Sequence, residues 1–154
     1  MVKEPSQLAQ VLKKEKNALI LTGALCDQVE LGGKKLLDYA AALAQKLGLP
    51  VAATANTMVG LRARKVESAR KMWLAEVLNY LRHPWQDPIS PSRPRLLVFM
   101  GYSPQVARRL LSAVQDAQTV VLGNHYIPEA TFSLPSATPR QWQQNLEALL
   151  GALD

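Results

Sequence analysis

Cysteine is all but missing from this sequence: Cys26 stands alone among 154 residues. An intramolecular disulfide is therefore excluded, and so is a zinc or iron–sulfur site of the cysteine-rich kind built from this chain by itself. Any metal cluster must lie elsewhere. Histidine is nearly as scarce, with only His83 and His125, which leaves few nucleophile–base pairs to assemble. Three signatures are absent: the dinucleotide fingerprint G-x-G-x-x-G, the phosphate loop G-x-x-x-x-G-K-[ST] and the nucleophile elbow G-x-S-x-G. No window approaches the roughly 18 apolar residues of a membrane span. Residues 1–16, MVKEPSQLAQVLKKEK, are amphipathic and lack the apolar centre of a secretory signal. The expected compartment is the cytoplasm, with no membrane partner.

What remains is an ordinary soluble composition, 48% apolar and 19% charged, enough to bury a core in one α/β domain spanning residues 1–154. Aromatics at 6% leave that core to Leu, Val, Ala and Ile. A formal charge of +6 favours an anionic ligand or acidic partner. The densest basic run is Arg62, Arg64, Lys65, Arg70 and Lys71, in a stretch that reads as a loop or helix start, where cations oppose the helix dipole. Without a recognition motif or interleaved aromatics, nucleic acid is not an expected partner.

Short apolar runs alternate with amphipathic segments, the pattern of a doubly wound α/β domain around a mostly parallel sheet. Pro5 starts a first helix carrying Leu8, Val11 and Leu12. ALILT, residues 18–22, is a strand short enough to be buried on both faces. After a loop with Gly32 and Gly33, a helical face runs through Leu36, Leu37, Ala40, Leu43, Ala44 and Leu47 to a C-cap at Gly48. VAATA, residues 51–55, is a second strand, leading into an irregular polar stretch from Asn56 to Glu67. Trp73, Val77, Tyr80 and Leu81 mark a third helix that stops near His83-Pro84, and 88-PISPSRP-94 reads as a surface connection. LLVFM, residues 96–100, is the strongest strand; Ser103 and Pro104 cap and start the next helix. A short strand from Thr119 to Leu122 and a terminal helix opened by Thr138 and Pro139 complete the pattern.

Glycines end three strands, at Gly23, Gly101 and Gly123. In an open α/β sheet the carboxyl ends of the strands share one edge, where ligands bind at a switch in chain direction. Glycine there lets a phosphate or ring approach main-chain N–H groups, or simply permits the turn. Thr54, Asn56 and Asn124 add neutral hydrogen-bonding groups at the same edge. The candidate cofactor-binding set is thus Gly23, Thr54, Asn56, Gly101, Gly123 and Asn124. Cys26 lies at this edge too, but its neighbour Asp27 works against a thiolate. His125 follows the last glycine, and a structural or surface role suits it better than catalysis. No catalytic set emerges.

The segments 38-DYAAALAQKLGLPVAATANT-57, 95-RLLVFMGYSPQVARRLLSAV-114 and 123-GNHYIPEATFSLPSATPRQWQQNLEAL-149 together resemble the epsilon subunit of the acetyl-CoA decarbonylase/synthase (carbon monoxide dehydrogenase) complex. The most distinctive piece is the spaced pattern Tyr126, Pro128, Ala130, Phe132, Ser133 and Pro135; Trp85 fits as well. The chain departs from the family pattern at His125, Ile127 and Glu129 and at Pro94-Arg95. The resemblance implies a three-layer, Rossmann-like fold similar to the NAD/FAD-binding domain of deoxyhypusine synthase. It also implies an accessory role beside the nickel–iron–sulfur catalytic subunit of carbon monoxide dehydrogenase, with no catalytic residues of its own.

Under that reading the partner-binding candidates are Arg62 and Arg64 of the basic stretch and Tyr126 and Phe132 of the aromatic loop. The implied fold suggests FAD as the cofactor, in an electron-transfer role, and leaves homo-oligomerisation open. A free-standing sirtuin-like enzyme is disfavoured, because its zinc site takes four cysteines.

Overall fold

The computed structural model describes residues 1–82 and 93–154, without the side chains of Ala55, Leu74, Leu78, Leu81 and Arg82. The expectations placed on His83, Pro84, Trp85 and residues 88–92 fall outside the described residues.

Pro5 opens α1 (Pro5–Lys14) at a position where its missing N–H has no helical partner to lose. Lys13 and Lys14 occupy the last turn, where cations complement the helix dipole. β1 (Ala18–Thr22) is buried along its whole length. The expected loop around Gly32 and Gly33 is a small hairpin, β2 (Glu30–Leu31) against β3 (Lys34–Lys35). Its two-residue turn puts both glycines at positive φ, +61° and +82°, a conformation that suits the right-handed twist of the flanking strands. α2 (Leu36–Leu47) ends on Gly48 in the left-handed region, and β4 (Val51–Ala53) follows, two residues shorter than the VAATA run.

The stretch from Asn56 to Glu67 is not irregular. Its first part is α3 (Ala55–Ala63). It lacks an apolar stripe because Thr57 occupies a fully buried position and Gly60 packs against Leu37, where a Cβ would come within 2.4 Å of Leu37 Cδ2. Tertiary packing outweighs weak local propensity here. Arg62 consequently sits in the last turn of a helix, where the dipole favours it, so the electrostatic oddity expected of this run is absent. A further strand, β5 (Ala69–Lys71), was also not apparent in the sequence.

α4 (Leu74–Arg82) leads to β6 (Leu96–Met100), which is buried throughout. α5 (Pro104–Ala113) is capped by Ser103, whose Oγ accepts from Val106 N–H at 3.3 Å. β7 (Gln118–Val121) is followed by β8 (Phe132–Ser133), so Phe132 of the expected aromatic loop is a strand residue. α6 (Pro139–Ala152) begins with a reciprocal cap between Thr138 and Gln141.

The described strands of the main sheet run β5-β4-β1-β6-β7-β8, and each neighbouring pair is parallel. The chain winds outward from β1 on one side and outward from β6 on the other, the Rossmann-like order, with its switch point between those two strands. Thr22 aligns with Ala53 on β4 and Met100 on β6, so the carboxyl ends of the central strands are level. One apolar cluster lies under α1, α2, α3 and α6, and includes Leu8, Leu37, Leu61 and Trp142. The other lies under α4 and α5, with Leu19, Leu97, Phe99, Val77 and Leu111.

Candidate functional site

Gly23 and Gly101 flank the switch point, and their loops bond to each other. Gly23 N–H donates to the Met100 carbonyl at 2.8 Å, Leu25 N–H to the Gly101 carbonyl at 3.0 Å and Cys26 N–H to the Gly23 carbonyl at 3.0 Å. These backbone donors already have partners. A Cβ on Gly23 would stand 2.4 Å from Gly101 O and 2.7 Å from the Tyr102 ring; one on Gly101 would stand 2.4 Å from Cys26 Sγ. Gly101 also needs its positive φ of +82°. In this arrangement the two glycines allow loop to approach loop.

Cys26 fills the space between them. Its side chain is fully buried and Sγ donates to Met100 O at 3.4 Å. Burial is the main cause that pushes its thiol pKa up to about 12; the Asp27 charge adds to this and a backbone hydrogen bond at Gly23 opposes it. The thiol is therefore protonated at neutral pH and a poor nucleophile. Tyr102 closes the top, with its phenol pKa raised chiefly by burial and its ring edge-on to Phe99 at 6.1 Å.

On the β4 side a chain of hydroxyls is satisfied internally. Thr22 and Thr57 Oγ1 atoms are 3.0 Å apart, Thr57 and Thr54 Oγ1 atoms 2.8 Å apart, and Thr54 donates to Asn56 Oδ1 at 2.9 Å. With protons passed from Thr22 to Thr57 to Thr54 to Asn56, each hydroxyl has a partner, as buried polar groups require. On the other side Tyr102, Pro104, Val121, Gly123, Asn124 and His125 border a cleft of about 30 Å³, room for little more than one water. Asn124 O accepts from Ala137 N–H at 3.0 Å.

The six residues expected to bind a cofactor therefore lie along one edge, as expected, but do not surround one cavity. Thr54 and Asn56 follow β4, Gly23 and Gly101 meet at the switch, and Gly123 and Asn124 follow β7. Three strand spacings, about 14 Å, separate the first pair from the last.

The partner-binding candidates separate in a different way. Arg64 Nε donates to Asp38 Oδ1 at 2.7 Å and Nη1 to Gly60 O at 2.9 Å, tying α3 to α2. The Arg64 hydrogen bond is the main cause that holds the Asp38 carboxyl below its usual range. Arg62 reaches the Ala69 carbonyl at 3.3 Å, tying α3 to β5, and remains exposed. Tyr126 N–H donates to Ser136 Oγ at 3.0 Å. Phe132 is half-buried, with Lys3 Nζ 5.3 Å from its ring centroid. Trp73, expected within the third helix, instead precedes α4 and is 68% exposed. The signal in the sequence is its position three residues before Glu76, whose Oε1 accepts from Trp73 N–H at 3.3 Å.

No family model matches the chain. Comparison along the whole length is more informative. Acetyl-CoA decarbonylase/synthase complex subunit epsilon 1 of Methanosarcina barkeri is 25% identical, over 97% of this chain and 86% of its own length. The corresponding epsilon subunit of Methanothermobacter thermautotrophicus is 24% identical over the same shares. The chain is a homologue of these epsilon subunits. That of Methanopyrus kandleri is 34% identical over 53% of each chain. The epsilon homology spans both the closed switch point and the β5 side of the sheet. Among the described residues, no group of His, Cys, Asp and Glu could hold a metal ion, and no helix is long and apolar enough to cross a membrane.

Proposed function

We propose that this chain is an accessory, epsilon-type subunit that binds and supports the nickel–iron–sulfur catalytic subunit of a carbon monoxide dehydrogenase/acetyl-CoA decarbonylase-synthase complex. The observation that carries the reading is its near full-length homology to epsilon subunits named as parts of that complex. The satisfied hydrogen bonds of the sheet edge support it: the Cys26 thiol is protonated and buried, and the threonine hydroxyls bond to one another. An accessory subunit acts by contact, stabilising the partner in proportion to how tightly it binds the folded state. Co-purification is the test. The chain is expected to co-elute with the catalytic subunit encoded in the same organism and to raise that subunit's thermal midpoint. Separate elution of the two would sink the reading.

A second reading, a flavin- or nucleotide-binding electron-transfer domain similar to the deoxyhypusine synthase type, is favoured by the strand order. The residues as they stand do not fit the group. The N–H groups of Gly23, Leu25 and Cys26 are occupied and the cleft beside Asn124 is far smaller than a flavin ring. Binding would need Tyr102 and the Gly101 loop to move. FAD titration followed by visible absorbance decides this reading, and an unchanged spectrum removes it.

A further inference from the structure

We propose that the rim formed by α3, β5 and the start of α4 is a docking surface for an acidic protein surface, with Trp73 as its anchor. The inference rests on the accessory-subunit reading and names where that contact is made.

β5 is the outermost described strand on its side of the sheet. An exposed edge of this kind ordinarily invites another strand. Here the Ala69 carbonyl accepts from Arg62 Nη2 at 3.3 Å and from Arg70 Nη1 at 3.2 Å, and Arg70 Nη1 also reaches Glu67 O at 2.8 Å. Two guanidiniums share the Ala69 carbonyl and Lys71 adds a third exposed cation. The outward Ala69 carbonyl is thus occupied, and the rim presents charged side chains.

Two further side chains of the rim are apolar and well exposed, Trp73 at 68% and Val59 at 65%. Val59 lies three residues before Arg62 on α3, on a shared helical face, and Arg62 bridges that face to β5. Val59 and Arg62 lie on α3, Arg70 and Lys71 project from opposite faces of the edge strand β5, and Trp73 follows just before α4, so all five belong to one rim. The backbone of Trp73 is fixed at both groups: its N–H donates to Glu76 Oε1 at 3.3 Å and its carbonyl accepts from Val77 N–H at 3.2 Å. An indole displayed on an ordered strand–helix junction loses little freedom on binding, and Trp and Arg are the residues that most often dominate an interface.

Charge selects the occupant. Among the described residues, ion pairs join Lys35 to Asp27, Lys46 to Asp154, Arg64 to Asp38 and Arg108 to Glu129, and none reaches Arg70 or Lys71. A second copy docking through a two-fold axis would set these cations near their own equivalents, in a chain already carrying +6. A protein surface with carboxylates around an apolar pocket satisfies both the cations and the indole.

The experiment measures binding of the full-length chain to the purified catalytic subunit, for wild type and three variants. Trp73→Ala is expected to weaken binding about thirtyfold or more. Arg70→Glu with Lys71→Glu should weaken it about tenfold and flatten its salt dependence. Lys13→Glu with Lys14→Glu applies the same charge change on α1 and should leave affinity within about twofold. Thermal melts confirm that each variant is folded, and the charge-reversal pair carries the test should Trp73→Ala not fold.

Unchanged binding by both rim variants would overturn the surface while leaving the accessory reading intact. Failure of the wild type itself to bind would overturn that reading, and the named occupant with it. Two other results would also overturn the proposal: a wild-type dimer made monomeric by Trp73→Ala, or Trp73-dependent pelleting with phosphatidylserine–phosphatidylcholine vesicles.

Discussion

The junction of β1 and β6 and the rim along β5 lie two strands apart in the same sheet, yet they treat their polar groups in opposite ways. At the junction, backbone N–H groups and the Cys26 thiol donate to neighbouring carbonyls, and the threonine hydroxyls bond to one another. Along the rim, Arg70, Lys71 and Trp73 face solvent. The first region occupies the position where folds of this strand order bind ligands, but its glycines hold two loops together. The second has no such pedigree and offers the groups a partner would use. Topology locates a possible site; hydrogen-bond satisfaction decides whether the site has anything to offer.

The largest expected effect comes from forcing the junction apart. Gly101→Ala puts a Cβ 2.4 Å from Cys26 Sγ at a φ of +82°, and the left-handed penalty with overpacking should cost about 3 kcal/mol. Chemical denaturation reads that loss. Iodoacetamide reads its location, because Cys26 labelling through an opened state should accelerate about a hundredfold over the slow wild-type rate. Gly33→Ala is the comparator: the same φ of +82° with nothing within 4 Å should cost only about 1 kcal/mol. Equal losses at the two positions would show that the junction is not tightly packed.

A smaller effect is expected in the hydroxyl chain. Thr57→Val keeps the shape but deprives Thr22 and Thr54 of their shared partner, for about 1–2 kcal/mol. Adding Thr22→Val should recover part of that loss, since removing both partners leaves fewer orphaned groups. A double mutant less stable than the sum of the singles would contradict the relay.

Asp38→Asn tests the boundary between the two regions, where Arg64 ties α3 to α2. The amide oxygen can still accept from Lys35 N–H, as the carboxylate does at 2.8 Å, while its NH2 faces Arg64 Nε, so the substitution removes the charge and the Arg64 hydrogen bond together. The folded pKa of Asp38 is lowered from 3.8. Its contribution is therefore present above that value and is lost as pH falls through the lower folded pKa. The pair is partly exposed and screened, so the wild type should exceed Asp38→Asn by less than about 1 kcal/mol at neutral pH. The gap should close below about pH 4. A gap constant down to pH 2 would place the effect in packing.

Much of this architecture is legible in the sequence. ALILT and LLVFM are continuous apolar runs because they are buried on both faces, and Pro5, Ser103-Pro104, Gly48 and Thr138-Pro139 mark helix ends through local backbone chemistry. The placement of the candidate residues on one edge was legible for the same reason. α3 was not, because, of its two fully buried positions among the described residues, Thr57 and Leu61, one is polar and meets Thr22, and its contact with α2 runs through Gly60 against Leu37. β5 and β8, three and two residues long, are too short to show a period. The mutual closure of Gly23 and Gly101 joins loops far apart in sequence, and no local pattern encodes it. Nor does helical spacing distinguish Trp73 inside a helix from Trp73 one residue before it.

The smallest expected effect is the sharpest contrast with the junction. Trp73→Ala removes a large apolar side chain, yet at 68% exposure most of that side chain has nothing to lose on unfolding. Only its contact with the surface immediately beneath should register, so the folding stability is expected to stay within about 0.5 kcal/mol of wild type in urea denaturation. A loss above about 2 kcal/mol would mean that the indole supports α4 as a core residue does, and the rim would then resemble the junction. With stability unchanged, retaining a large hydrophobic side chain in water brings the isolated chain no folding advantage, and the value of Trp73 has to be sought in what it touches when the chain is not alone.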